Sequence, residues 1–162
     1  MATTGTITLT VTGSNKDRVD AQIYYSYTTG TGSTSLTCTL RTRLKSGQTA
    51  STYDNQATWS MTINGTKYTT GSPGTINYKT QGESWQNLIS KTVTISHTAA
   101  KSITVSGEFD INSSYISGAS GSGTISLPAT TLPITFNGNT VSKITFNGQA
   151  VTHLVFNGTQ IF

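Results

Sequence analysis

Residues 34–47, TSLTCTLRTRLKSG, decide the fold that we expect for this chain. Apolar residues take alternate positions, with polar or basic residues between them; the apolar set is Leu36, Cys38, Leu40 and Leu44. Because successive side chains of a β-strand point to opposite faces, a period of two predicts a strand with one buried and one solvated face. The Ser-Gly pair that follows is a turn signal, so the strand is expected to end there.

The same alternation recurs along the first 128 residues, in the ranges 5–13, 18–30, 57–65, 90–97, 101–111 and 123–128. Turn signals separate these runs, for example Asn64-Gly65 and Ser72-Pro73-Gly74. Only residues 83–90, ESWQNLIS, are a candidate for one or two turns of helix. The pattern therefore predicts an all-β chain, with an Ig-like antiparallel β-sandwich over residues 1–128.

Composition supports this fold class and narrows the cellular setting. Hydrophobic residues make up 33% and charged residues 10%, and a chain with so few charges is unlike a disordered one. The single Cys38 excludes an intramolecular disulfide. No run approaches the roughly 18 apolar residues of a membrane helix, and the first ten residues lack the basic and apolar regions of a signal peptide. We therefore expect synthesis in a cytoplasm and no membrane partner.

The last part of the chain repeats the phrase Phe-Asn-Gly three times, at Phe136, Phe146 and Phe156. Asn-Gly is the strongest short signal for a type I′ hairpin turn, because both central positions have positive φ. With Asn147-Gly148 as such a turn, Phe146 pairs with Gln149. By the same register, Ile144 pairs with Val151 on the same face. We expect residues 129–133 to form a linker and residues 134–162 to form a β-hairpin repeat.

The repeat is expected to be an attachment element, because hairpins of this size are marginal when isolated. Successive apolar clusters alternate sides in a flat meander, or a bend near Thr152-His153 returns them to one side. Docking on copies of the chain or on another protein is the favoured hypothesis, with a homotrimer preferred. Packing on the chain's own sandwich is the alternative. The candidate interface residues are Phe136, Val141, Ile144, Phe146, Val151, Leu154, Phe156, Ile161 and Phe162.

Enzymatic chemistry is not expected, and neither is a metal site or a cofactor. The chain has two histidines, His97 and His153, and no acidic residue lies within ten positions of either. Glu108 and Asp110 share one strand face, which suggests glycoside hydrolysis or calcium binding. Simple alternation on an exposed strand face is the preferred explanation for this pair.

Two sets of residues are candidates for ligand contact. Arg41, Arg43 and Lys45 form a basic row that could attract a polyanion such as wall teichoic acid, or could be a solvated outer face. Nucleic acid is disfavoured because no aromatic residues interleave with the row. The second set is aromatic and could contact a glycan or a protein, or could cover the rim of the sandwich; it comprises Trp85, Tyr53 and Tyr115.

Residues 92–128 resemble a segment of siphophage minor structural proteins, which occur in the tail and tail-tip regions of phages of Gram-positive hosts. The shared features are a strand ending at His97, a turn with Lys101, an alternating strand, a Ser/Gly-rich stretch and a closing Leu127-Pro128. Residues 60–68 and Ser84-Trp85 resemble upstream parts of the same domain. The Phe-Asn-Gly repeats resemble the ends of phage baseplate, tail-fibre and virion proteins.

This resemblance implies a virion structural protein of the tail tip, baseplate or fibre, assembled in the bacterial cytoplasm, with host-surface adhesion as an additional role. The implied partners are other virion proteins, reached through the repeat, and host cell-wall polysaccharide. A capsid decoration protein and a carbohydrate-binding module are the alternatives.

Overall fold

Two antiparallel β-sheets packed face to face make up most of the chain, so the predicted all-β sandwich is confirmed. The computed structural model describes residues 2–130 and 144–151, and the backbone of the short strands at 135–136, 139–140, 155–156 and 159–160. The sandwich is built from the following elements: β1 (Thr3–Thr8), β2 (Thr10–Thr12), β3 (Val19–Thr29), β4 (Ser33–Leu44), β5 (Thr52–Ile63), β6 (Thr66–Thr69), β7 (Gly74–Asn77), α1 (Tyr78–Gln81), β8 (Gln86–Ser96), β9 (Lys101–Asp110) and β10 (Gly118–Leu127).

The first sheet has the order β1-β3-β4-β8, and the second has the order β2-β10-β9-β5-β6, with β7 paired to the first half of β5. The run 5–13 serves both sheets, because β1 pairs with β3 whereas β2 pairs with β10. At the crossing, the backbone N–H of Leu9 donates to the carbonyl of Ala21 at 2.9 Å. Ile7 packs against Gly123, and Leu9 packs against Gly121. A Cβ added to either glycine would lie 3.0 Å from the side chain that it faces.

The alternating apolar residues of the opening stretch form the centre of the core. Leu36, Cys38 and Leu40 are completely buried, and Leu44 is 3% exposed. Gly107 of the second sheet lets the sheets approach, since a Cβ there would lie 3.1–3.2 Å from Ile23 and Leu40. Burial of alternate residues on both sheets is what a period of two dictates for a sandwich.

The expected helical segment at 83–90 is wrong. Residues from Gln86 onward belong to β8, which pairs with β4, and the short helix lies earlier, at Tyr78–Gln81. The Gln86 amide fixes the start of β8, because its oxygen accepts from the N–H of Asn77 at 2.9 Å and its nitrogen donates to the Thr75 carbonyl at 2.8 Å. Pairing with a central strand, a long-range contact, overrides the local signal.

The end of the sandwich extends into the expected linker. The N–H of Thr130 donates to the carbonyl of Thr98 at 2.9 Å, and its hydroxyl donates to the carbonyl of His97. His97 caps this turn, since its Nδ1 lies 2.9 Å from the Ala99 carbonyl and its Nε2 lies 2.8 Å from the Thr34 hydroxyl. Thr130, at 8% exposure, is therefore part of the sandwich rather than of a free connector.

The middle hairpin of the repeat has the predicted turn and register. Asn147 and Gly148 have φ of 49° and 78°, as a type I′ turn requires, and Phe146 pairs with Gln149. The described strands pair within each unit. The three pairs are β11–β12 (Thr135–Phe136, Asn139–Thr140), β13–β14 (Thr145–Phe146, Gln149–Ala150) and β15–β16 (Val155–Phe156, Thr159–Gln160).

Candidate binding surfaces

Arg41 and Arg43 lie on the outer face of the first sheet and hold an aromatic side chain there. The guanidinium carbon of Arg41 lies 4.4 Å from the ring centroid of Tyr24 and 4.5 Å from that of Trp85. The guanidinium carbon of Arg43 lies 4.5 Å from the Trp85 ring as well. These are cation–π distances, so the basic row and Trp85 form one cluster.

Both guanidiniums have further partners within the sheet. The Gln22 amide oxygen, oriented toward Arg41, accepts from its Nε at 2.9 Å and from its Nη2 at 2.6 Å. The Nη2 of Arg43 lies 3.2 Å from the Asp20 carboxylate. Burial lowers the pKa of Arg41 and the neighbouring Arg43 adds to the lowering, although a guanidinium stays charged at neutral pH.

This cluster changes the interpretation of the basic row. No aromatic residue interleaves with the basic row in the sequence, but two lie beside it in the folded chain. Tyr24 comes from β3 and Trp85 from the segment after α1. Two guanidiniums occupy π surface of Trp85 that a sugar ring would need for stacking. The contacts of Trp85 with the two arginines hold the α1–β8 connection against the sheet. Lys45, the third residue of the basic row, is exposed beyond the end of β4 and is not part of this cluster. No pattern in the sequence could have found this stack, since its members are distant along the chain.

Tyr53 and Tyr115 lie together at another place, where loops close one end of the sandwich. Both line a cleft of about 230 Å³ that also includes Arg18 and Ile116. Tyr115 is 62% exposed, whereas Tyr53 is half-buried, with its ring 6.3 Å from that of Tyr78 in an edge-on contact. The three candidate aromatics therefore belong to two separate surfaces.

Tyr78, unlike the three candidate aromatics, lies in the core of the sandwich. The residue is 1% exposed, and its hydroxyl lies 2.8 Å from the Thr42 hydroxyl. Burial raises the pKa of Tyr78, which keeps its phenol neutral. The helix α1 begins at this residue, so Tyr78 anchors the α1 segment in the core.

The middle hairpin exposes the aromatic residue of its repeat. Phe146 is 72% exposed, while Ile144 and Val151 are half-buried and joined by a 2.8 Å hydrogen bond from the Val151 N–H to the Ile144 carbonyl. The other candidate interface side chains lie outside the described residues: Phe136, Val141, Leu154, Phe156, Ile161 and Phe162. Phe146 and Tyr115 are the large apolar side chains that are well exposed in the described part of the chain.

Glu108 and Asp110 lie on the outer face of the second sheet, as the alternation predicts. The Glu108 carboxylate accepts from the Ser60 hydroxyl at 2.8 Å and from the Lys67 ammonium at 3.4 Å. The Ser60 hydrogen bond lowers the pKa of Glu108, against a smaller effect of burial, and Lys67 lowers it further. Within residues 2–130 and 144–151, no three His, Cys, Asp or Glu side chains come together as a metal site.

Known proteins give no guide to these surfaces. No protein-family model, curated protein sequence or solved structure matches the chain. Among the helices that the structure describes, none has the length and apolar character needed to cross a membrane.

Proposed function

We propose that this chain is a non-enzymatic structural protein of a phage particle, in which the hairpin repeat attaches the chain and the sandwich is displayed. The observation that carries the attachment role is the 72% exposure of Phe146 on a hairpin with two paired residues in each strand. An isolated two-stranded hairpin is marginally stable, so a partner surface that covers this face stabilises both the hairpin and the assembly.

The size of the expected effect supports a docking role for the repeat. Full burial of a phenylalanine side chain contributes about 1.5–3 kcal/mol. Three tandem units share the Phe-Asn-Gly phrase, and linked weak contacts strengthen one another because the second and third bind at high effective concentration. Docking of the units to equivalent sites, on a homotrimer or on other virion proteins, would therefore give firm attachment without any large interface.

The proposed position in the particle rests on the resemblance of residues 92–128 to siphophage minor structural proteins. This resemblance favours the tail tip, baseplate or fibre. A capsid decoration protein would use the same attachment element on a different surface. Immunogold labelling of purified particles separates these positions: label at the tail tip supports the first, label over the head supports the second, and unlabelled particles contradict both.

Substitution of the repeated phenylalanines tests the attachment role directly. We expect Phe136→Ser/Phe146→Ser/Phe156→Ser to convert an oligomer, measured by light scattering, into a monomer and to abolish incorporation into particles. The matched control is Tyr115→Ser, which removes the exposed aromatic of the sandwich and should change neither measurement. Equal mass and equal incorporation for wild type and triple variant would show that the repeat is not the attachment element.

A further inference from the structure

A polar groove of about 590 Å³ crosses the outer face of the second sheet, and the attachment role does not use it. Strand register places its side chains in rows across the sheet. One row joins Ser60, Glu108 and Ser120, and the next joins Thr58, Asp110 and Gly118. Thr12 of β2 extends the second row at one edge.

Small residues leave the floor of the groove open. A Cβ at Gly118 would overlap the carbonyl oxygen of Phe109, so this strand position admits glycine alone. A second depression of about 250 Å³ adjoins the groove and shares Ser60, Glu108 and Ser120 with it. The two together form a continuous polar depression on the outer face of the sheet.

Each carboxylate of the groove can accept hydrogen bonds beyond those it makes within the protein. Glu108 uses Oε1 for its bonds to Ser60 and Lys67, and Asp110 uses Oδ1 to accept from the Asn112 N–H at 2.6 Å. In the described part of the chain, no side-chain or backbone donor bonds Oε2 of Glu108 or Oδ2 of Asp110. An ionised carboxylate offers about four acceptor positions, so each can take hydroxyl donors from a ligand.

We propose that this groove binds a neutral glycan, with Glu108 and Asp110 accepting hydrogen bonds from sugar hydroxyls and the serine and threonine hydroxyls completing the contacts. Each hydroxyl of a glycan can both donate and accept a hydrogen bond. This matches a surface on which serine and threonine hydroxyls surround two carboxylate acceptors. The proposal goes beyond attachment, because it assigns a ligand to the displayed sandwich.

The charge of the groove distinguishes a neutral glycan from a polyanion. Glu108 and Asp110 carry two negative charges and Lys67 one positive charge, so the lining is net negative although the whole chain is +4. Teichoic acid or nucleic acid phosphates would be repelled at this surface. Neutral sugars are not.

The protonation state of Glu108 distinguishes binding from hydrolysis. Residues two positions apart on a strand have Cα atoms about 6.8 Å apart, and a pair of carboxylates is also what inverting glycosidases use. A general acid needs a raised pKa, however, and the Ser60 and Lys67 contacts lower the pKa of Glu108. Glu108 is therefore suited to accept hydrogen bonds rather than to donate a proton.

The test is binding of the full-length protein to an array of neutral polysaccharides, with teichoic acid and heparin as polyanionic probes. We expect retention on at least one neutral glycan, unchanged between low and high salt. Glu108→Gln/Asp110→Asn should weaken this binding about tenfold or more, because hydrogen bonds to charged acceptors are the strong ones. Ser120→Trp, at an exposed groove position, should block it.

The matched control is Asp54→Asn/Glu83→Gln, which removes the same charge at exposed carboxylates outside the groove and should bind as wild type. Binding to no neutral glycan, or equal binding by the two double variants, would overturn the proposal. Salt-sensitive binding to the polyanions alone would also overturn it and would point to Lys45 instead. Because oligomeric mass and particle incorporation are measured separately, failure here leaves the attachment role untouched.

Discussion

The chain contains the same turn in two settings, and the comparison separates local from long-range determinants. Asn64-Gly65 joins β5 to β6 with φ of 49° and 84°, and Asn147-Gly148 joins β13 to β14 with φ of 49° and 78°. The residue before the first turn, Ile63, is 1% exposed, whereas the residue before the second, Phe146, is 72% exposed. An identical local signal thus leads to a core position in one place and to an open apolar face in the other.

What differs is the neighbouring strand. In the sandwich, β5 pairs with β9 as well as β6, and the first sheet covers its inner face. In the described part of the repeat, each strand pairs with its hairpin partner alone. The hairpin therefore forms its turn but leaves its apolar face uncovered, and this is the physical reason for proposing an attachment role.

The rate of thiol alkylation is expected to differ most between the sandwich and the hairpin. Cys38 is fully buried, and burial raises its pKa from 9.0 to about 12. The buried thiol stays protonated, so its stabilising contribution is complete below pH 9 and is lost as the pH rises toward 12. At pH 8 we expect iodoacetamide to alkylate native Cys38 at least about 10³-fold more slowly than the unfolded chain, because labelling requires opening of a domain stable by roughly 5–15 kcal/mol.

A thiol in the hairpin is the control for this measurement. In Cys38→Ser/Gln149→Cys the only thiol lies at an exposed hairpin position and should react at nearly the rate of the unfolded chain. Fast alkylation of native Cys38 would mean that the sandwich opens readily and that the two regions do not differ in stability.

The two turn glycines provide a matched pair of substitutions with a smaller effect. Neither Gly65 nor Gly148 has an atom within 4 Å of an added Cβ, so alanine is opposed only by the positive φ, at a cost of about 1–2 kcal/mol. We expect Gly65→Ala to lower the free energy of unfolding by this amount in urea titration. Gly148→Ala should leave the unfolding of the sandwich unchanged. Equal losses would show that the hairpin and the sandwich unfold as one unit.

The smallest expected difference in stability is between alanine substitutions of Trp85 in the sandwich and of Phe146 in the hairpin. Trp85 contacts two guanidiniums, and each exposed cation–π contact contributes about 0.5–1 kcal/mol, so Trp85→Ala should destabilise the sandwich by roughly 1–2 kcal/mol at most. Hydrogen exchange should show the loss concentrated in the α1–β8 connection. Phe146→Ala should leave both measurements unchanged, since the side chain is exposed. Unaltered exchange after Trp85→Ala would mean that the stack does not fasten this segment.

The pattern of alternation predicted what depends on neighbours in sequence. The buried face of β4, the inward residues of β9 and the register of the Asn147-Gly148 hairpin all follow from a period of two and from turn chemistry. The start of β8, the burial of Tyr78 and the Arg41–Trp85 stack could not be predicted, because each depends on a partner far along the chain. The groove was missed for the same reason, as Ser60, Glu108, Asp110 and Ser120 come from three strands.

The sequence by itself determined which residues turn inward and where the chain reverses, because strand pleat and positive-φ turns are properties of a few consecutive residues. Tertiary structure decided which strands became neighbours. It therefore decided that the basic row would fasten Trp85, that Glu108 and Asp110 would stand in a hydroxyl-lined groove, and that Ile63 would be covered while Phe146 was not. Neighbours across a sheet are set by packing of the whole core, and no short stretch of the chain specifies them.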